Sequence, residues 1–214
     1  MAGIRFDTED GLSLEGELRE AEGAPRGTAV LCHPHPRYGG SKDHPVLWAL
    51  RNDLAARRAL TVLGFNFRGV MGSEGDYGGG DDEVRDVAAA VDRIRAHAPG
   101  PTLLAGWSFG AWVALSHALG DDRIAALCLL AIPLGEAEGR RPLPTLGDLE
   151  RLEIPVLLVA GGRDPICPTA ELRNLAGWIP RAETLIVEDA DHFFRRRERD
   201  MAARVGEWVD RSLP

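Results

Sequence analysis

Ser108 stands in Gly106-Trp107-Ser108-Phe109-Gly110, between an apolar run, Thr102-Leu103-Leu104-Ala105, and a stretch of helix formers beginning Ala111-Trp112-Val113. A G-x-S-x-G pattern in a strand–turn–helix context reads as a nucleophile elbow. A serine turned sharply off a strand end is presented at a helix N-terminus, where unpaired N–H groups and the helix dipole favour developing negative charge. Glycine on both sides of such a turn relieves crowding that any side chain would create. Three fixed positions in five occur by chance, so the serine needs partners: a base to take its proton and a third group to orient that base.

Active groups of a parallel sheet gather beyond the carboxyl ends of the strands, which confines the search to loops that follow strands. Val156-Leu157-Leu158-Val159-Ala160 runs into Gly161-Gly162-Arg163-Asp164-Pro165, and Leu185-Ile186-Val187 into Glu188-Asp189-Ala190-Asp191-His192. Ser108, Asp164 and His192 therefore fall at the same end of three strands, as nucleophile, orienting acid and base. Asp189 and Asp191 are nearby acids, and Glu136 is a remote one. Asp191 directly precedes His192 and is badly placed for the ring's far nitrogen; capping the loop is its natural role.

The elements that must position these groups follow from periodicity. Ile4–Phe6 and Leu12–Leu18 flank Glu9-Asp10-Gly11 as an antiparallel hairpin. Thr28–Cys32, Leu60–Phe67, Thr102–Ala105, Ile124–Ile132, Pro155–Ala160 and Thr184–Val187 are compact apolar runs, expected as strands, most of them buried on both faces. Helical spacing marks 45–60, 82–98, 111–119, 169–178 and 195–213, and the Arg195-Arg196-Arg197-Glu198-Arg199 run is expected to open the last helix as its solvated face. Strands alternating with amphipathic helices give an α/β fold: a mostly parallel sheet of about eight strands with an antiparallel start and helices on both faces. No linker or repeat interrupts residues 1–214, so one domain is expected.

Composition narrows the function. With 44% hydrophobic residues and a formal charge of −8, the 214-residue chain is expected to fold as a soluble protein that binds neither nucleic acid nor an anionic membrane. Lys42 is the only lysine. The N-terminus has no apolar signal core, and no run reaches membrane-spanning length, so a cytoplasmic location is expected. Cys32, Cys128 and Cys167 do not form a disulfide framework; the first two read as core, and Cys167 as a thiol open to solvent near Asp164. Arg68 follows a strand beside the site, either to bind a substrate carboxylate or to brace the glycine-rich loop 68–80 against an acid. His33 and His35 lack a third ligand at a telling distance, which leaves no metal site, and His33 is expected to brace its loop.

The order Ser…Asp…His, together with His33-Pro34-His35-Pro36-Arg37-Tyr38-Gly39-Gly40, Asn66-Phe67-Arg68-Gly69-Val70 and Asp191-His192-Phe193-Phe194, resembles the α/β-hydrolase superfamily from Leu12 to the C-terminus. Within it the chain is similar to the small, lidless, dienelactone-hydrolase-related group, though serine stands where dienelactone hydrolase has cysteine. The resemblance implies an oxyanion hole made by the backbone N–H of Phe109 and one from the loop after the third strand. Pro34 and Pro36 cannot donate, His35 aligns with the donor of related enzymes, and Tyr38 is second choice. It implies a cofactor-free serine hydrolase acting on a small-molecule ester. Tyr38, Arg68 and Phe193 are the candidates for substrate contact, and Phe193 and Phe194 fit either the acyl side of the pocket or the core. Residues 133–154, where larger relatives insert a cap, carry three prolines and little apolar periodicity, so an open site for small or short-chain esters is expected. A thioesterase or acyltransferase would use the same triad. A non-catalytic binding protein of this fold is the rival from another class, disfavoured by an intact triad. The last strand, as a sheet edge, would permit a homodimer.

Overall fold

The computed structural model describes residues 2–135 and 142–213. Strands β1 (Ala2–Asp7) and β2 (Ser13–Arg19) form the antiparallel hairpin, and six strands follow: β3 (Gly27–Cys32), β4 (Leu60–Phe65), β5 (Thr102–Trp107), β6 (Ile124–Leu130), β7 (Val156–Gly161) and β8 (Ala182–Val187). They make one sheet in the order β1-β2-β4-β3-β5-β6-β7-β8, with β2 antiparallel to β4 and every later pairing parallel. The antiparallel start and parallel body expected from periodicity are both present.

Burial explains the sequence pattern. Every residue of β3, β4, β5 and β7 is buried, because helices cover both faces, and these strands are continuously apolar. In β2 burial alternates, and so does the sequence, Leu14, Gly16 and Leu18 facing inward. The covering helices are α1 (Pro45–Arg57), α2 (Glu83–His97), α3 (Phe109–Ala118), α5 (Thr169–Ala176) and α6 (Glu198–Ser212). The described part of the β6–β7 connection holds one four-residue helix, α4 (Leu146–Leu149), started by a capping box between Thr145 and Asp148.

Several boundaries differ from expectation, each for a tertiary reason. β4 stops at Phe65 and not Phe67, because the Asn66 amide and side chain turn to Glu15 and Lys42. Lys42 is buried there, its backbone N–H on Asn66 Oδ1 (2.9 Å) and its Nζ on Asp43 (2.8 Å), with Glu15 at 3.7 Å. β8 begins at Ala182 and not Thr184, because parallel pairing with β7 starts there, Ala182 opposite Val156. Helix α6 begins at Glu198, three residues later than the arginine run implies. Asp191 takes the N–H groups of Phe193 and Arg195, and Phe194 and Arg196 adopt left-handed φ of 49° and 63°, which no α-helix accommodates.

Candidate active site

The turn at Ser108 is strained. Ser108 has φ 56° and ψ −119°, an unfavourable backbone for a residue with a Cβ. Its geometry is held from both sides: its N–H donates to Leu130 O at 2.8 Å, and its carbonyl accepts from Ala111 N (2.9 Å) and Trp112 N (3.2 Å) in the first turn of α3. A Cβ on Gly106 would collide with the Gly110 carbonyl, and one on Gly110 with the carbonyls of Cys32 and His33. The two glycines therefore let the start of α3 lie directly against the end of β3.

Ser108, His192 and Asp164 are brought together. His192 Nε2 lies 3.0 Å from Ser108 Oγ, and Nδ1 lies 2.7 Å from Asp164 Oδ2. The other carboxylate oxygen of Asp164 accepts from the backbone N–H groups of Ile166 (2.8 Å) and Cys167 (3.0 Å). An acceptor surrounded by donors fixes the tautomer: Nδ1 carries the hydrogen toward Asp164, and Nε2 is left to accept from the serine. Asp164 and His192 are buried, and Ser108 is half-buried. Asp191 caps its own loop, Asp189 pairs at the surface with Arg163 and Arg197, and Glu136 lies outside the described residues.

The loop after β3 closes on His35. Its carbonyl accepts from Tyr38 N and Gly40 N, both at 3.1 Å, and its Nδ1 accepts from Arg37 N at 3.2 Å. Tyr38's N–H is thus already engaged, which removes it as the second oxyanion donor. The His35 and Phe109 N–H groups donate to no acceptor among the described residues, and the two rings lie 5.1 Å apart. Burial, with Arg37 adding to it, holds the His35 imidazole below its ordinary pKa. His35 Nε2 meets the Tyr77 hydroxyl at 3.2 Å, so Tyr77, from the glycine-rich loop, joins the same wall. His33 is buried with both nitrogens committed, Nδ1 to Pro34 O (2.6 Å) and Nε2 accepting from Phe67 N (3.0 Å). Burial pushes its pKa down to about 4, which keeps the ring neutral near pH 7.

Arg68 does not reach toward substrate. Arg68 is 4% exposed, and its guanidinium, bonded to Asp86 (2.7 and 2.9 Å) and Asp10 (2.9 and 3.3 Å), ties the β1–β2 turn to α2. The bracing alternative describes it, and the substrate-binding one is corrected: two carboxylates saturate the fork. Its donors hold Asp10 well below the usual carboxylate range. Cys167 is fully buried, contrary to the expected open thiol, because its amide anchors Asp164. Phe194 is core, whereas Phe193 is 39% exposed with its ring 5.5 Å from His192. Tyr38 is 86% exposed and tilts over His35. No three His, Cys, Asp or Glu side chains converge as a metal site among the described residues. Sequence reasoning missed Tyr77, His44 and Trp107. His44 caps α1 and packs on Trp107, and Trp107 carried one available signal, its place inside the pentapeptide.

A family profile described as an alpha/beta hydrolase domain matches residues 27–210. An uncharacterized protein of Rickettsia prowazekii (strain Madrid E) is 27% identical over 217 residues, spanning 98% of this chain and 89% of that protein. Among solved structures, an a/b serine hydrolase without lid from Xanthomonas campestris is 28% identical with a TM-score of 0.84, covering 100% of this chain and 95% of the other. An alpha-beta serine hydrolase homologue from Coxiella burnetii is 28% identical with a TM-score of 0.85, covering 97% of each chain. No helix among the described residues is long and apolar enough to cross a membrane.

Proposed function

The chain belongs to the alpha/beta hydrolase family, and from that premise we propose that it is a serine esterase cleaving small or short-chain carboxylic esters through an acyl-enzyme. The observation that carries this reading is the continuous chain from Ser108 Oγ through His192 to Asp164, at 3.0 and 2.7 Å, on a strained elbow. His192 Nε2 takes the Ser108 proton as Oγ attacks the ester carbonyl, while the imidazolium is stabilised by Asp164. The N–H groups of Phe109 and His35 hold the oxyanion, each worth roughly a hundred- to a thousandfold in rate. Collapse of the intermediate expels the alcohol, which receives its proton from His192. Water, deprotonated by the same nitrogen, then releases the acid and restores Ser108. No step needs a cofactor.

Small substrates are favoured by the exposure of the site's rim, where Tyr38 and Phe193 lie open. Phe193 offers an apolar wall for a short acyl or alkoxy group beside the base. A fluorophosphonate probe tests the reading, applied to the wild type and to Ser108→Ala, with nitrophenyl esters of increasing acyl length assayed on the same pair. One probe per chain, lost in the variant, with turnover falling as the acyl chain lengthens, is the expected result. A folded wild type that takes up no probe would sink it.

A further inference from the structure

The loop carrying His192 leaves β8, the edge strand, so nothing in the sheet beyond it fixes the height of the base. Ser108 and Asp164 hold the two ring nitrogens but not the backbone beneath them. The loop on either side is tied by Arg163 N to Ala190 O (2.9 Å) and by Phe194 N to Asp191 O (3.0 Å), and the His192 carbonyl itself is held by Trp107, whose indole Nε1–H donates to it at 3.1 Å. Trp107 is 1% exposed, directly precedes the nucleophile, and ends β5, which has paired strands on both sides. The indole is itself gripped. The His44 ring lies 4.1 Å from it at 44°, and the Phe193 ring 5.8 Å away nearly edge-on. His44 is fixed in turn, as its Nδ1 accepts from Val46 N at 3.3 Å in capping α1.

A buried indole N–H needs an acceptor, and packing alone is indifferent to which. Here the acceptor is the carbonyl of the base, and the donor is the neighbour of the nucleophile. We propose that Trp107 is a positioning residue for the general base, referencing His192 to the central strand so that Nε2 stays in line with Oγ while the proton moves out and back. The proposal rests on the esterase reading. It gives the second position of the pentapeptide a task beyond filling space, and it makes the first turn of α1, through His44, part of the support of the active site.

Trp107→Phe keeps ring bulk and removes the donor. The expected result is a fall of about ten- to a hundredfold in kcat, the cost of a misaligned base, with KM changed by no more than about twofold. His44→Asn retains a capping oxygen but withdraws the ring from the indole. It shows the same changes in smaller measure, and it decides the matter if Trp107→Phe fails to fold. A folded Trp107→Phe protein that loses melting temperature alone, with wild-type kcat and KM, overturns the proposal; so does an unchanged His44→Asn where the first variant cannot be made. Probe labelling of the wild type separates the two failures, because an unlabelled wild type strikes the esterase reading and a labelled one with an indifferent Trp107 strikes only this inference.

Discussion

Ser108 and His192 meet at hydrogen-bond distance, yet the two regions that supply them are built differently. The serine directly follows β5, a strand buried along its whole length and paired on both edges. The histidine follows β8, which pairs on one edge only and exposes Glu183 and Thr184. The serine's position is thus a property of the core, and any change that moves it must disturb packing over several strands. The histidine's position is local: one carboxylate, one indole hydrogen bond and the close approach of Gly161 and Gly162 to the carbonyls of Glu188, Ala190 and Asp191. Damage on the central side should therefore register as lost stability, and damage on the edge side as lost rate from a protein that still folds.

Asp164→Asn should give the largest effect and the cleanest break between the two regions. An amide can still accept from Ile166 and Cys167, but it turns an N–H toward Nδ1 and drives the ring hydrogen onto Nε2, where it blocks Ser108. A loss of about 10⁴-fold in kcat is expected with circular dichroism unchanged; activity within tenfold of wild type would mean that the edge loop does not set the base. Arg68→Met is the counterpart in the buried body of the fold, away from β8. Stranding the buried Asp86 should cost about 3–5 kcal/mol in urea titrations, with kcat and KM of the folded fraction within about twofold. Little loss of stability together with a raised KM for carboxylate-bearing esters would return Arg68 to the substrate.

A pH titration sharpens the comparison further. His33 has its pKa lowered in the fold from 6.5 to about 4, so the unfolded chain binds the proton more readily than the native one does. Its contribution is whole above pH 6.5 and is lost as pH falls toward 4. Between pH 7 and pH 5 the wild type should lose about 2 kcal/mol that His33→Gln does not lose. Equal slopes for the two proteins would show that the loops after β3 and β4 do not depend on a neutral His33. Phe193→Ala should be the mildest change. Its ring is partly exposed, so a stability loss below about 1 kcal/mol is expected, with the preference among acyl chain lengths flattened. A preference identical to wild type would remove Phe193 from the pocket wall.

Much of this was legible in the sequence because it is carried by local pattern. Strands buried on both faces are apolar throughout, the hairpin alternates, and residues at strand ends must converge on one edge of a parallel sheet; these three regularities locate Ser108, Asp164 and His192 with no contact known in advance. What escaped depends on residues far apart in the chain. Arg68 has two carboxylates as partners, from a turn near the N-terminus and from α2, and no spacing announces them. Cys167 looks open in a polar loop and is buried because its amide serves Asp164. The start of α6 is delayed by an aspartate capping the preceding loop, which outweighs the helical periodicity of the arginine run. The use of Trp107's N–H needs the coordinates of a loop 85 residues away.

Lys42 has a practical consequence. A protease specific for lysine has a single peptide bond to cut in this chain, in the segment between β3 and α1, and the native fold keeps that side chain 9% exposed and paired with acids. Cleavage there requires the segment bearing His35 and His44 to open, so its rate at low protease reports how often the loop after β3 and the start of α1 detach from the rest of the molecule. One cut and two fragments would turn the local stability of the active-site wall into a gel band.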